Sequence, residues 1–298
     1  MRGWFVACGV LTWGLIGWGE TPSPPREYEI KRNLVYATPA DRELLLDAYV
    51  PKGEGPFPGV LVIHGGSWKT GDKSQLSGYA MKLAARGLAS FAINYRLAPE
   101  FKHPCQIDDC RAALRWIEQN AGQYHVDADR LGAIGYSAGA HLAFLLGVAG
   151  DQKSPKDPVH VWKGDSTTGR RLRAVVAGGS PCDFTVVKEK SKTLVDFLGG
   201  TQQDVPILYV DASPRFYISE DDPPILFFHG KADALVTIKG PQIMVEEFKS
   251  KGVPAELVEI DRADHITAAM NRGAVEKAID FLAQRLDAKS ASAPPAGQ

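Results

Sequence analysis

The stretch "IGYSAGAH" holds Gly135-Tyr136-Ser137-Ala138-Gly139, a G-x-S-x-G pattern between the apolar run "RLGAIGYS" and the small-residue run "AGAHLAFLLGVAG". A serine at that spacing, where a strand gives way to a helix, is suited to nucleophilic attack. The tight turn exposes its hydroxyl, and the flanking glycines relieve crowding against both elements. The plainer alternative is a serine N-cap after an ordinary glycine turn. A neutral hydroxyl needs a base, and the base needs a group to orient it. Of the seven histidines, His265 in "DRADHIT" lies between the last strand-like run and the last helical one, on the sheet edge where Ser137 would emerge. His64 and His229 end strands, His141 lies in the helix after Ser137, and His103, His125 and His160 fall in polar loops. The carboxylate expected between serine and histidine in chain order is Asp233, in "PILFFHGKADALV". A turn or cap aspartate is its alternative reading, and Asp264, adjacent to His265, is the runner-up.

Attack on a carbonyl places negative charge on its oxygen, which preorganised backbone N–H groups can receive. "VLVIHGGSWKTGD", residues 60 to 72, supplies a strand that ends in two bare residues, Gly65 and Gly66. With the N–H of Ala138 they would form an oxyanion hole of two or three donors, each worth about 3 kcal/mol to the transition state. A Gly-Gly turn is the alternative. Trp68 either packs beneath this loop or lines a pocket.

The elements that must position these residues follow from hydrophobic periodicity. From Tyr28 onward, short β-rich runs alternate with helical patterns, which predicts an α/β domain over 28–286. Eight strand-like runs and five or six helices make one doubly wound, mostly parallel sheet. The first two runs have no helix between them and form an antiparallel pair at one edge. Residues 183–222 break the alternation and read as a lid-like insertion or a surface excursion. Within it, Phe197, Leu198, Phe216 and Tyr217 either line an acyl or alcohol site or pack as ordinary core. Residues 288–298 lack apolar residues that could hold them down and read as a disordered tail.

Composition bounds the rest. The 298 residues are 44% hydrophobic and 23% charged, ordinary globular values. The net charge of -1, without long runs of either sign, argues against nucleic acid or a stable membrane partner. Residues 1–19 pair Arg2 with an apolar stretch and read as a secretory signal peptide, hence a secreted or periplasmic protein. An uncleaved membrane anchor and a lipoprotein site at Cys8 are the alternatives. Of the remaining cysteines, Cys105 and Cys110 could pair across the start of a helix, or stay as thiols with Cys182.

"HGGSWKTGD", "NYRLAPEFKHP", "DDCRAALRWI", "GYSAGAHLA", "FLGG", "DASP", "DDPPILFFHGKAD" and "ADH" together resemble the α/β-hydrolase esterases. The likeness is to the hormone-sensitive-lipase-like carboxylesterases and the bacterial acetyl- and feruloyl-esterase-like group with an HGGSW motif. The resemblance implies that Ser137 is the nucleophile, Asp233 the acid and His265 the base, with Gly65, Gly66 and Ala138 as oxyanion donors, and that no metal or cofactor takes part. The substrate it implies is a small-molecule or carbohydrate ester, short-chain or aromatic, cleaved through an acyl-enzyme; arylformamidase or peptidase-type amide hydrolysis is the alternative. A binding module that keeps only the fold would show a degenerate triad, whereas every member is present here. The large amino-terminal helical cap of that family is not evident in this sequence.

Overall fold

The computed structural model describes residues 25–149, 172–187 and 191–287. The expected signal peptide (1–19), the expected tail (288–298) and residues 188–190 of the expected insertion lie outside them. No helix among the described residues is long and apolar enough to cross a membrane.

Eight strands form one sheet: β1 (Tyr28–Ala37), β2 (Leu44–Pro51), β3 (Phe57–Ile63), β4 (Ala89–Ile93), β5 (Val126–Tyr136), β6 (Ala174–Gly178), β7 (Ile225–Gly230) and β8 (Ala255–Ile260). Their order is β1-β2-β4-β3-β5-β6-β7-β8. β2 runs antiparallel to both β1 and β4, and every other pairing is parallel. The expected antiparallel edge pair is therefore present, with the reversed strand second from the edge. Both faces of the sheet are covered, so the inner strands are apolar without alternation. All seven residues of β3 are buried.

The pleat still sorts side chains between two cores. Leu61 and Ile63 of β3 face α2 (Cys105–Gln119), α3 (Ala138–Ala149) and α6 (Lys239–Ser250). Val60 and Val62, one residue out of step, face α1 (Ser77–Ala85) and the carboxyl-terminal α8 (Arg272–Asp287). Every residue of α3 is buried, because the region after β6 packs over the side of α3 that the sheet does not cover. That region contains α4 (Lys192–Leu198) and α5 (Pro206–Asp211).

The helix expectation needs correction, and the cysteine alternatives are resolved. The single last helix is two, α7 (His265–Ala269) and α8. Asp264 caps α7 in a capping box with Thr267, and the Asn271 side chain accepts the Ala274 N–H at 2.9 Å to start α8. With α4 and α5, this brings the described α-helices to eight, above the five or six expected. Cys105, Cys110 and Cys182 are free thiols. Cys105 and Cys110 lie five positions apart on α2, which turns their side chains about 140° from one another.

The carboxyl ends of the parallel strands share one edge. Gly65 follows β3, Ser137 follows β5, Asp233 follows β7 and His265 follows β8. The last two loops are laced together by Lys231 N–H to Ile260 O and Ala232 N–H to Ala263 O, each 3.0 Å.

Close approach at the β5–α3 junction yields a stability prediction. A Cβ on Gly139 would sit 2.0 Å from Ile63 O, whereas one on Gly78, exposed in α1, would meet nothing within 4 Å. Gly139→Ala should cost about 3 kcal/mol or more in urea unfolding, and Gly78→Ala should gain about 0.5 kcal/mol. Equal effects would show that the junction is not crowded.

Candidate active site

Ser137 has φ +55, a left-handed conformation that side chains with a Cβ adopt at a cost of about 1–2 kcal/mol. Its surroundings hold it there. The Ser137 N–H donates to Gly178 O at 2.8 Å, and its carbonyl accepts the His141 N–H at 3.0 Å. The turn is tight enough that a Cβ on Gly135 would lie 2.2 Å from Gly139 O. The two glycines of the motif are therefore steric requirements of the serine between them.

The structure brings Ser137, His265 and Asp233 into one hydrogen-bonded chain. His265 Nε2 is 2.8 Å from Ser137 Oγ, and His265 Nδ1 is 2.6 Å from Asp233 Oδ2. A carboxylate only accepts, so Nδ1 carries the hydrogen and Nε2 is left as an acceptor for the Ser137 hydroxyl. Asp233 Oδ1 accepts the N–H groups of Leu235 and Val236 at 2.9 and 2.8 Å. The aspartate thus shapes its own turn as well as orienting the histidine. Asp264 points elsewhere: its carboxylate accepts from the Thr267 N–H and hydroxyl and the Ile266 N–H, which hold it below the usual carboxylate range. It is a helix cap.

Two buried tyrosines fix the helix that carries His265. The Tyr136 hydroxyl donates to His265 O at 2.5 Å, and the Tyr79 hydroxyl donates to Ala269 O at 2.6 Å. Tyr136 is the variable residue before the serine in G-x-S-x-G. Its ring also lies 5.3 Å from the His265 ring. The pattern alone gives that position no role.

The loop after β3 lies beside Ser137. A Cβ on Gly65 would be 3.3 Å from Ser137 Cβ, and one on Gly66 (φ +107) would be 2.0 Å from Thr70 O. Gly66 O accepts the N–H groups of Lys69 and Thr70 at 3.0 Å, so the Gly-Gly turn is real as well as close to the serine. Ala138 opens α3, and N–H groups of a first helical turn have no acceptor within the helix. Ser67 and Trp68 are also left-handed, with φ of 56 and 61. For Trp68 the strain is offset by packing: its ring stacks on Phe197 at 4.4 Å and meets His141 and Phe184 edge-on. Its Nε1–H donates to His141 Nδ1 at 3.2 Å, and His141 Nε2–H donates to Ala212 O at 2.6 Å. With both nitrogens committed and the ring fully buried, His141 is held neutral, its pKa lowered by desolvation to about 3.

Ser137 opens into a cavity of about 610 Å³. Its walls include Trp68, Phe184, Val186, Val187, Leu194 and Met244, with Ser180 and Thr193 among the polar lining. Trp68 therefore packs under its loop and lines the pocket at once. Phe197, Leu198, Phe216 and Tyr217 do not line it. Phe197 and Leu198 are core, Phe216 packs against that core, and the Tyr217 hydroxyl is tied to Asp211. What this region gives the pocket wall comes mostly from residues before Phe197, which periodicity does not distinguish from loop.

Removing the Tyr136 hydroxyl leaves the buried carbonyl of His265 unpaired. Tyr136→Phe should cost about 1–3 kcal/mol of stability in chemical denaturation and lower kcat more than it changes KM. Histidine burial predicts acid sensitivity. An unfolded histidine titrates at about 6.5 and folded His141 at about 3, so between these values the unfolded chain binds the extra proton. Stability should therefore fall as pH drops from about 6.5 toward 3, by up to about 1.4 kcal/mol per pH unit from this group. His64 and His229, also lowered by burial, act in the same direction. His141→Gln should flatten the dependence of unfolding free energy on pH; an unchanged slope would place the effect elsewhere.

Known proteins resemble this chain in sequence and in fold. A family profile described as BD-FAE matches residues 46–248. Esterase LipC of Mycobacterium tuberculosis is 29% identical over 76% of this chain, and Esterase LipQ of the same organism is 27% identical over 95%. The probable carboxylic ester hydrolase LipM, also from that organism, is 31% identical over 65%. The matched stretches span 56%, 71% and 46% of those three proteins, so the chain covers about half to seven tenths of their length. Among solved structures, a truncated carbohydrate esterase from gut microbiota superimposes with a TM-score of 0.80 at 25% identity, covering 89% of this chain and 99% of that one. Butyrate-bound Est2 of Thermogutta terrifontis shares the fold, with a TM-score of 0.70 at 24% identity over 90% of this chain and 97% of its own. With the family match spanning most of the described sheet, the chain belongs to the BD-FAE family, within the hormone-sensitive-lipase-like group of α/β-hydrolase esterases.

Proposed function

We propose that the protein is a serine carboxylesterase in which Ser137 is the nucleophile, His265 the general base and acid, and Asp233 the group that orients His265. The observation that carries this reading is the unbroken chain from Ser137 Oγ through His265 to Asp233, at 2.8 and 2.6 Å, opening into a cavity.

His265 Nε2 takes the hydroxyl proton as Ser137 Oγ bonds to the ester carbonyl carbon. The N–H groups of Gly65, Gly66 and Ala138 receive the charge that develops on the carbonyl oxygen. As the tetrahedral intermediate collapses, the C–O bond to the alcohol breaks and His265 returns the proton to the leaving oxygen. Water then attacks the acyl-serine, His265 taking its proton, and the carboxylic acid departs with Ser137 regenerated. The fixed Nδ1–H to Asp233 bond keeps Nε2 free for both proton transfers and stabilises the imidazolium between them.

The pocket supports a short-chain or aromatic acyl ester, because its wall combines Trp68 and Phe184 with Val186, Val187 and Leu194. Acetyl or feruloyl groups on carbohydrate fit that description. The structural neighbour named a carbohydrate esterase supports the same class.

Ser137→Ala should abolish hydrolysis of a short p-nitrophenyl ester and labelling by a fluorophosphonate, while leaving the melting temperature close to wild type. Asp233→Asn should lower kcat about 10⁴-fold through the wrong histidine tautomer. A panel of acetyl, butyryl, octanoyl and feruloyl esters beside a formyl-aromatic amide tests the substrate class. Faster turnover of the amide than of every ester would overturn the ester assignment.

A further inference from the structure

His229 is a buried imidazole that the mechanism above leaves without a task. It stands next to last in β7, is 0% exposed, and its ring reaches the turn that carries Asp233. His229 Nε2 lies 2.7 Å from Val236 O and 3.2 Å from Asp233 Oδ2. That carboxylate oxygen is the one that takes the His265 Nδ1–H at 2.6 Å. Both groups facing Nε2 are acceptors, so Nε2 carries the hydrogen and shares it between them. Nδ1 is then a buried acceptor without a partner among the described residues. Such an orphan costs about 1–3 kcal/mol, which an apolar ring of similar size would avoid. The two preceding residues, Phe227 and Phe228, are rings of that kind in the same strand. Packing therefore accounts for a ring at position 229 but not for an imidazole.

We propose that His229 is a positioning residue for Asp233. Its Nε2–H ties Oδ2 to the Val236 carbonyl, which holds the carboxylate in the orientation that meets His265, and it draws part of the carboxylate's charge away from His265. The proposal rests on the reading of Ser137, His265 and Asp233 as the reacting group. With this contact, Asp233 is held at both oxygens: Oδ1 by Leu235 and Val236, and Oδ2 by His229 and His265. The charged and titratable groups around the pair are Asp233 on its own turn, His265 and Asp264 at the start of α7, and Tyr136 at the end of β5. Burial holds the His229 imidazole below the usual histidine range, so it acts as a neutral donor.

The sign of the effect follows from the charge. Losing the donor leaves a more basic carboxylate against His265, which stabilises the imidazolium. The acid limb of the kcat/KM profile then moves to higher pH.

The test compares wild type with His229→Phe, His229→Asn and His229→Gln on a short p-nitrophenyl ester across pH, with melting temperatures and a Ser137→Ala control. Glutamine puts an amide nitrogen the same number of bonds from Cα as Nε2, whereas asparagine falls one bond short. The expected result is a loss in kcat of about tenfold or more for Phe and Asn, little change in KM and an upward shift of the acid limb. Gln should recover most of the turnover and the wild-type limb. A wild-type kcat and acid limb in the Phe variant would overturn the proposal, as would equal losses in Gln and Asn with an unmoved limb. If the Phe variant does not fold, the contrast between Gln and Asn decides. Retained turnover in Ser137→Ala would instead overturn the underlying reading of the reacting group.

Discussion

A serine in left-handed backbone conformation has to be held there from outside, and much of the fold serves that need at Ser137. The serine sits where β5 turns directly into α3, with its N–H on the next strand and its carbonyl on the first turn of the helix. The turn closes only because Gly135 and Gly139 allow backbone to meet backbone, with Gly139 lying against the end of β3. α3 is drawn so far into the sheet that no residue on it stays exposed. A helix buried all round needs a second cover, which the region after β6 provides. That same region supplies much of the pocket wall.

The loop after β3 is strained for a related reason. Three successive residues, Gly66, Ser67 and Trp68, have positive φ, and a large side chain at the third resists that conformation. The loop persists because Trp68 is anchored by Phe197 of α4 and by His141 of α3, which in turn is bonded to the backbone after α5. Loop, helix and pocket wall are joined through one neutral imidazole. Protonating it would place a hydrogen on Nδ1 facing the Trp68 N–H and would break the connection at its centre. Acid lability and the shape of the site thus share one physical cause.

Several parts of the architecture are legible in the residues themselves. Alternation of apolar runs with helical patterns gives all eight strands, and G-x-S-x-G in a strand-to-helix setting singles out Ser137. Chain order then points to Asp233 and His265. Other parts are not legible, because a side chain's partner is not a property of its type. Asp264 touches His265 in sequence yet caps α7, while Asp233, 32 positions away, meets the imidazole. Phe197 and Tyr217 resemble pocket residues by composition and are core, whereas Val186 and Val187, in an irregular segment, face the cavity. The boundary between α7 and α8 depends on the Asn271 cap, which the apolar periodicity running through it conceals.

The sequence by itself determined the class of fold and the tight turn at Ser137, because hydrophobic period, glycine placement and strand-to-helix succession are local properties. Only the tertiary structure decided which carboxylate meets His265, which rings face the pocket and which hold it up. It also decided that His229 meets Asp233 while Tyr136 meets His265. Those outcomes depend on the carboxyl ends of β5, β7 and β8 converging on one edge of the sheet. Convergence is a consequence of strand order and crossover direction, and no single stretch of the chain contains it.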